Sequence, residues 1–249
     1  LAEAIRSGLS VVSGLHRKLS EESELVKAAA ASGQQLIDIR VPPASISIAT
    51  GRRRSGKRLL MVGTDCCVGK KYSALSLHKA LKERGIAATF RATGQTGILI
   101  AGRGIPMDAV VSDFLSGAAE MLTPDAATDH WDVIEGQGSL FHPAYAAVTL
   151  GLLHGSQPDA MVLCHGVGRM VIDEYEDYPV PDLRDCVAQY EQAARVTNRV
   201  SSIVGISLNT QGLSDDEAVR ACRDNSTLTG LPCVDPMRHA LDPIIYALP

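Results

Sequence analysis

One segment of nine residues constrains the fold of this chain more than any other. Residues 63–71 read GTDCCVGKK, between an apolar run at 59–62 that predicts a buried strand and a stretch whose apolar residues repeat at helical spacing. A glycine-rich turn at such a junction directs backbone N–H groups and the positive end of the helix dipole into one small space, where Lys70 adds a full charge. The segment therefore predicts a phosphate-binding loop. Its predicted ligand-binding residues are Gly63, Thr64, Asp65, Cys66, Val68, Gly69, Lys70 and Lys71.

Two departures from the common phosphate-binding loop change the ligand that we expect. The common loop has four residues between its glycines, and the Ser or Thr after its lysine ligates Mg²⁺. Here five residues separate Gly63 from Gly69, and Lys71 takes the place of the hydroxyl. Because an ammonium repels a divalent cation and can itself neutralise an anion, we expect the loop to hold phosphates and to hold metal poorly. Ser73, further along the helix, is an alternative metal ligand. A different alternative for the whole segment is a glycine-rich turn that binds no ligand.

Beyond the loop, strand-like runs alternate with helical ones. The predicted strands lie at 58–64, 87–93, 132–135, 160–164, 203–208 and 233–234. The predicted helices lie at 70–84, 108–121, 145–154, 183–196 and 215–228. Apolar strands that alternate with helices form mostly parallel sheets covered on both faces, and ligands of such sheets bind beyond the carboxyl ends of the strands. We therefore predict an α/β fold with its site at that edge.

The first fifty residues predict a separate, smaller α/β unit. Its predicted elements are a helix at 1–8, a strand at 9–12, a helix at 21–31 and a strand at 35–41. This pattern resembles the end of a domain whose earlier strands precede the chain, so we expect residues 1–50 to be the remnant of an N-terminal domain plus a linker, and residues 51–249 to form the phosphate-loop domain. The linker at 42–57 is rich in Pro, Ser, Gly and Arg, and the cluster at 52–54 favours a solvated basic loop over an anion site.

Composition limits the class of protein. A chain of 249 residues with 45% hydrophobic residues can bury a full core, and its net charge of −4 argues against nucleic acid as the main partner. No apolar run approaches membrane-spanning length. Six cysteines without paired metal-ligand spacing favour free thiols in a reducing compartment. We therefore expect a cytoplasmic protein that acts on a small molecule, with no nucleic-acid or membrane partner, and that forms homo-oligomers.

Four polar, glycine-rich loops follow the predicted strands and should meet at one edge of the sheet. They lie at 91–97 (RATGQTG), 135–142 (EGQGSLFH), 165–169 (HGVGR) and 209–210 (NT). Each has a simpler alternative: Glu135 could pair with a lysine, and His142, which precedes a proline, could fix a turn. Together they predict a pocket beside the phosphate loop.

These motifs resemble those of known P-loop proteins. GTDCCVGKK is similar to the GTDxxVGKT loop of dethiobiotin synthetase and of related proteins of the cobyric acid synthase type. The segment EGQGSL at 135–140 resembles an EGAGG segment whose glutamate ligates magnesium in that superfamily. Asn209 follows its strand at the position where proteins of that superfamily use an asparagine to bind the edge of adenine. Arg91 falls at the position where those enzymes have a lysine after the second strand. The resemblance covers residues 58–236 and implies a P-loop NTPase-like domain.

A closer resemblance extends over nearly the whole chain. The segments SGLHRKLS at 13–20, RATGQTG at 91–97, WDVIEGQGSLFHP at 131–143 and GLLHGSQPD at 151–159 are similar to a bacterial family that includes D-glutamate N-acetyltransferases, which use acetyl-CoA. The resemblance implies part of a Rossmann-like α/β domain before the P-loop domain. The segment at 165–169 departs from the acidic, proline-containing stretch usual in the family.

The resemblance implies an enzyme that moves an acetyl group from acetyl-CoA to the amino group of an acidic amino acid such as D-glutamate. A phosphate loop can hold the pyrophosphate of coenzyme A, and because no phosphoryl group moves, no obligatory metal is expected. The reaction needs a base and an oxyanion donor. We predict Glu135 or His142 as the base, and Gln137 or the backbone at 136–139 as the oxyanion donor. The predicted substrate-binding residues are Arg91, Thr93, Gln95, Ser139, His165 and Arg169, and Asn209 joins the predicted coenzyme-binding residues.

Three alternatives stay open at the level of sequence. The first is an ATP- and Mg²⁺-dependent ligase of the dethiobiotin synthetase type, with Ser73 and Glu135 as metal ligands. The second is a nucleotide-binding module that does not catalyse. The third concerns the mechanism: Cys66 or Cys67, near the helix N-terminus, could form an acetyl-thioester.

Overall fold

The computed structural model describes residues 1–249, and its first part is a small α/β unit. The elements of this unit are α1 Ala2–Arg6, β1 Val11–Ser13, α2 Ser23–Ser32 and β2 Leu36–Asp38. Strands β1 and β2 pair in parallel, with Val11 opposite Leu36. Ile5, Ala28 and Ala29 are buried between the two helices and this sheet. A parallel pair of strands joined by a helix is the unit that the sequence pattern predicts.

The rest of the chain forms the larger unit. Its strands are β3 Lys57–Gly63, β4 Ala88–Arg91, β5 Trp131–Ile134, β6 Ala160–Gly166, β7 Val171–Ile172, β8 Tyr175–Pro179, β9 Ser202–Asn209 and β10 Cys233–Val234. Its helices are α3 Lys70–Glu83, α4 Gln95–Ala101, α5 Leu115–Leu122, α6 Ala146–Ser156, α7 Leu183–Ala194, α8 Asp215–Thr229 and α9 Asp242–Ile245. No helix combines the length and the apolar character that crossing a bilayer requires.

Six strands form one parallel sheet in the order β10-β9-β6-β3-β5-β4. The predicted mostly parallel α/β fold is thus confirmed. Along β3, Leu59 and Met61 pack into the cluster on one face of the sheet, whereas Leu60 and Val62 pack into the cluster on the other. This alternation explains why the strand reads as an unbroken apolar run, since both of its faces are covered. The phosphate loop therefore emerges from a central, rigid strand.

Local structure differs from the sequence prediction in three places. The helix predicted from residue 108 begins at Leu115, after two short 3₁₀ turns at Met107–Ala109 and Ser112–Phe114. Helix α4 begins within the loop predicted at 91–97 and extends to Ala101, where Gly102, whose φ of 68° is in the left-handed region, caps it. Strands β7 and β8 form an antiparallel hairpin that the sequence did not predict, because YEDYP is polar and lacks alternating apolar residues.

The linker is a solvated basic loop only in part, because Arg52 and Arg53 are exposed whereas Arg54 is not. Arg54 is buried and donates hydrogen bonds to the carbonyl oxygens of Thr123 and Gly155, at the C-terminal ends of α5 and α6. Arg52 pairs with Asp125. Helix C-terminal carbonyls carry partial negative charge and lack partners within the helix, so a guanidinium stabilises them. The basic cluster therefore attaches the linker to the sheet domain.

Candidate functional site

The phosphate loop is built around a buried lysine. The loop leaves β3 at Gly63 and enters α3 through Gly69, whose φ of 102° suits only glycine. The side chain of Lys70 lies within the curl of the loop, where its Nζ donates to the carbonyl oxygen of Asp65 at 2.7 Å. A Cβ at Gly63 would lie 3.0 Å from this Nζ, so the glycine makes room for the ammonium. Burial lowers the pKa of Lys70, as expected for a charge out of water.

Lys71 and Ser73, the two residues considered in place of the Ser or Thr that follows the lysine of the common loop, have different surroundings. Lys71 is half-buried, and its Nζ lies 4.7 Å from the centre of the Tyr72 ring. Ser73 is only 1% exposed, and its Oγ lies 2.7 Å from Ser207 Oγ on β9 while donating to the carbonyl oxygen of Gly69. The Ser73 hydroxyl thus joins α3 to the sheet. The residue after Lys70 is therefore the cation Lys71, and the Ser73 hydroxyl is already engaged within the protein.

Glu135 follows β5 and lines the same space as both loop lysines. It is 4% exposed, and its Oε2 accepts hydrogen bonds from the backbone N–H groups of Thr93 at 2.9 Å and Gly94 at 3.1 Å. Burial raises the pKa of Glu135, although these hydrogen bonds and the charges of Lys71 and Lys70 oppose the effect. A buried carboxyl whose pKa is raised, held in a fixed orientation beside cations, is suited to proton transfer.

The backbone after Glu135 runs tightly against the central strand. A Cβ at Gly136 would lie less than 3.0 Å from the carbonyl oxygen of Met61, and no side chain can occupy that space. Gln137 then turns its Nε2 toward Thr93 Oγ1, at 3.1 Å. Gly136 in EGQG is therefore required because the backbone passes so close to β3. The residues on either side of it, Glu135 and Gln137, bring a carboxyl and an amide beside the phosphate loop.

A cleft of about 450 Å³ joins these groups. Lys70, Lys71, Glu135, Gln137 and Gln95 all line it. Of the residues that the sequence predicted, this cleft therefore gathers both loop lysines, one candidate base, the candidate oxyanion amide and one candidate substrate residue. Thr93 supports the cleft through its bonds to Glu135 and Gln137.

The N-terminal unit also reaches this cleft, which residue patterns did not predict. Arg40 lines the cleft, pairs with Asp108, and lies 2.8 Å from His16 Nε2 through its Nη1. With its amide oriented to satisfy both neighbours, Gln95 donates to the carbonyl oxygen of Gly14 at 2.7 Å and accepts from Arg40. The segment SGLHRKLS at 13–20, which the family resemblance singled out, was the sequence signal that could have indicated this contact.

His142 does not line the cleft. It is 2% exposed, its Nδ1 accepts a hydrogen bond from the backbone N–H of Ala144, and its ring packs 4.4 Å from that of Tyr145 and 5.1 Å from that of Tyr175. One of its ring nitrogens lies within 4.8 Å of side-chain ligand atoms of Asp65 and Cys66. Of the two candidate bases, Glu135 alone lines the cleft beside the lysines.

Three other predicted residues are held in the walls of the site. Ser139 is buried and donates to the carbonyl oxygen of Gly63 at 2.9 Å. His165 Nδ1 lies 2.9 Å from Thr64 Oγ1, and burial, with Arg169 nearby, lowers the pKa of His165. Arg169 pairs with Asp65 at 3.2 Å. These side chains fix the shape of the phosphate loop, and the structure does not bring them to the 450 Å³ cleft.

Arg91 lies in a different environment from the one that the sequence predicted. Its Nε donates to Asp132 Oδ1 at 2.8 Å, and it lines a separate pocket beside Arg103. The sequence prediction put this cation close to the phosphate loop, and the structure does not bring the two together. The cause is the register of β4 on β5, which pairs Thr89 with Asp132 and leaves the buried carboxylate within reach of Arg91.

A second cleft, of about 320 Å³, adjoins the first and shares Gly69, Tyr72, Asn209 and Gln211 with it. Tyr72, Asn209, Asp235 and Arg238 line it, together with backbone of the phosphate loop. Asn209 ends β9, as predicted, and its Oδ1 accepts from the backbone N–H of Gln211 at 3.0 Å. The phosphate loop thus borders both clefts, as well as a third of about 680 Å³ that Arg169 lines. Adjoining clefts beside the loop suit a long ligand whose phosphates bind at the loop.

We expect variants without the loop cysteines to keep their activity. Burial raises the pKa of Cys66 to about 11, so at pH 8 only about 0.1% of the thiol is ionised, and the thiolate is the nucleophile. Cys67 is exposed, with a φ of 56°. A Cys66→Ala, Cys67→Ala double variant should retain, within about threefold, the acyl-transfer rate that the family resemblance leads us to expect, because no covalent intermediate forms. Mass spectrometry of the wild type with acetyl-CoA alone provides the check, because a stoichiometric acetyl adduct on Cys66 or Cys67 would contradict this expectation.

The fold and the site define a P-loop protein of the parallel α/β class, with a small Rossmann-like unit before it. Residues 47–245 match the family model described as a domain of unknown function, the DUF1611_C P-loop domain, and residues 1–42 match the DUF1611_N Rossmann-like domain. The chain belongs to the DUF1611 family.

Relatives and solved structures agree with this assignment. A protein of Pseudoalteromonas sp. named D-glutamate N-acetyltransferase is 49% identical over 248 residues, which cover 100% of this chain and 75% of that protein. One of Tritonibacter scottomollicae with the same name is also 49% identical, over 100% of this chain and 74% of that protein. The crystal structure of a DUF1611 family protein from Anabaena variabilis has a TM-score of 0.93 and 37% identity, covering 99% of this chain and 73% of that one.

Proposed function

We propose that this protein is an acyltransferase that moves an acetyl group from acetyl-CoA to the amino group of D-glutamate. The observation that carries the proposal is the 49% identity, over the whole chain, to two proteins named D-glutamate N-acetyltransferase. At that level of identity the residues of the clefts lie on the same backbone framework. The geometry of the site supplies independent support, because it matches what coenzyme A and an amine acceptor need.

The phosphate loop suits coenzyme A. Coenzyme A carries a pyrophosphate between an adenosine and a pantetheine arm, so it extends in both directions from a phosphate-binding site. In the proposed arrangement the backbone N–H groups of the loop and Lys70 hold the pyrophosphate, while Lys71 supplies charge where other P-loops use a metal. The adenosine enters the 320 Å³ cleft beside Asn209, and the acetyl end enters the 450 Å³ cleft beside Glu135.

The chemistry in the 450 Å³ cleft is nucleophilic attack on a thioester. The ammonium of D-glutamate must lose a proton, and the Glu135 carboxylate is the base in this proposal. The free amine then attacks the acetyl carbonyl, and the C–S bond breaks as the tetrahedral intermediate collapses. In this proposal the amide Nε2 of Gln137, which donates one hydrogen to Thr93 Oγ1, donates its other hydrogen to the oxyanion. The departing thiolate of coenzyme A takes up the proton that Glu135 received. The second proton, which the attacking nitrogen loses as the amide forms, passes to solvent, so charge and protons balance.

Ligand-dependent thermal unfolding, followed by an acetylation assay, tests the proposal. We expect coenzyme A with EDTA to raise the melting temperature, because a ligand at 100 times its Kd stabilises the folded state by about 2.7 kcal/mol, equivalent to about 5–11 °C for a chain of this size. We also expect thiol release from acetyl-CoA that depends on D-glutamate. Stabilisation that strictly requires Mg²⁺ with ATP, and no acetylation, would favour a metal-dependent ligase instead.

A cytoplasmic location and self-association belong to the same proposal. All six cysteines are free thiols in the structure, which is the usual state in a reducing compartment. Several large apolar side chains at the surface of α4 and its neighbours, among them Leu99, Ile100 and Val111, support association of the chain with further copies.

A further inference from the structure

A single cationic side chain lines the smaller cleft beside the phosphate loop. Among the residues around this 320 Å³ space, Arg238 is the only one with a positive charge. It follows β10 in the segment that closes the cleft, opposite Tyr72 at the start of α3. The proposed position of adenosine therefore has a guanidinium at its border. Nothing in the chemistry of adenine or of an unmodified ribose requires a positive charge there.

The guanidinium is oriented by the protein and is still available to an anion. Its Nη2 donates to the carbonyl oxygen of Leu213 at 2.8 Å, and its Nε lies 3.8 Å from Asp235 Oδ2. Its Nη1 contacts Asp215 Oδ1 at 2.5 Å, but the Asp215 side chain is 96% exposed. An exposed ion pair of this kind contributes little stability, so a phosphate group can replace the Asp215 carboxylate at small cost.

The other acid near Arg238 is engaged by hydrogen-bond donors of the protein itself. Asp235 is buried, and its Oδ2 accepts hydrogen bonds from both the backbone N–H and the hydroxyl of Thr210. Its Oδ1 accepts from the backbone N–H of Met237 at 2.8 Å. Its oxygens face donors of the protein itself, so Asp235 holds the loop that carries Arg238.

We propose that Arg238 binds the 3′-phosphate on the ribose of coenzyme A and so determines the preference of this site for coenzyme A over nucleotides that lack that phosphate. The proposal rests on the proposed use of acetyl-CoA. A 3′-phosphate projects from the ribose, between the base and the pyrophosphate, and it carries close to two negative charges that need a partner out of bulk water. Arginine offers two parallel N–H donors to a phosphate, which a lysine cannot reproduce.

Binding of coenzyme A and of dephospho-coenzyme A, measured by calorimetry on the whole chain, tests the proposal. Removing one charge-assisted contact corresponds to about a tenfold to hundredfold rise in Kd, so the wild type should bind dephospho-coenzyme A more weakly by at least the lower figure. Arg238→Gln should weaken binding of coenzyme A to the level of dephospho-coenzyme A while leaving dephospho-coenzyme A unchanged. Arg238→Lys should restore part of the difference.

Arg84 offers a matched control. Its side chain is 31% exposed, against 29% for Arg238, and its Nη2 contacts Asp242 at 2.5 Å, but it lines neither of the two clefts. Arg84→Gln should therefore leave both Kd values unchanged. Equal affinity of the wild type for the two coenzymes would overturn the role of Arg238 and leave the proposed function intact, as would an equal loss for both coenzymes in Arg238→Gln. Failure of the folded wild type to bind coenzyme A at all would overturn both.

Discussion

Replacing Glu135 with glutamine is expected to lower the rate of D-glutamate acetylation by about 10²–10⁴-fold, the usual contribution of a positioned general base. The substitution keeps the shape of the side chain and an oxygen that can accept from the backbone N–H groups of Thr93 and Gly94. The site should therefore keep its structure and lose its base. Steady-state kinetics should show the loss in kcat, with a Kd for coenzyme A within a few-fold of that of the wild type.

The pH profile separates Glu135 from His142 as the base. Burial raises the pKa of Glu135, so the wild-type rate should fall as the pH drops through this raised value, where the carboxylate becomes protonated and can no longer accept a proton. In Glu135→Gln this acidic limb should disappear. His142→Asn is the comparison, since His142 is buried outside the cleft. If the acidic limb persists in Glu135→Gln and disappears in His142→Asn, the base is His142.

The sheet and the phosphate loop were predictable because they depend on local rules. Buried parallel strands read as apolar runs, and a glycine-rich turn between a strand and a helix has few alternative conformations. The carboxyl ends of parallel strands share one edge, so the loops that begin at Thr93, Glu135 and Asn209 had to approach the phosphate loop. The arrangement of Glu135, Gln137 and the loop lysines around one cleft follows from this topology.

The direction of individual side chains was not predictable, since it depends on contacts between segments far apart in the chain. Arg91 turns to Asp132 on the adjacent strand, and Arg169 turns to Asp65. In both cases a buried carboxylate takes the cation, because an unpaired charge out of water costs far more than an exposed ion pair contributes. The position of Arg40 at the cleft depends on how the N-terminal unit packs against the larger one, and no local pattern encodes that packing.

The close contact of Gly136 with the central strand predicts the largest effect on stability. In Gly136→Ala the new Cβ would lie less than 3.0 Å from the carbonyl oxygen of Met61, a backbone atom of a strand that is buried on both faces and cannot shift freely. We expect a loss of about 3 kcal/mol or more in the free energy of unfolding, which lowers the melting temperature by about 6–12 °C for a chain of this size.

Gly166 provides the control for this prediction, because it also lies at the edge of the sheet where the loops meet. A Cβ at Gly166 would lie 3.9 Å from Val68 Cγ1 and 4.0 Å from the Cβ of Arg169, which are ordinary contact distances, so Gly166→Ala should change the free energy of unfolding by no more than about 0.5 kcal/mol. Circular dichroism during heating measures both variants against the wild type. Equal melting temperatures for the two variants would mean that the backbone after Glu135 does not run against β3, and the orientation of Glu135 toward the loop lysines would then need to be reconsidered.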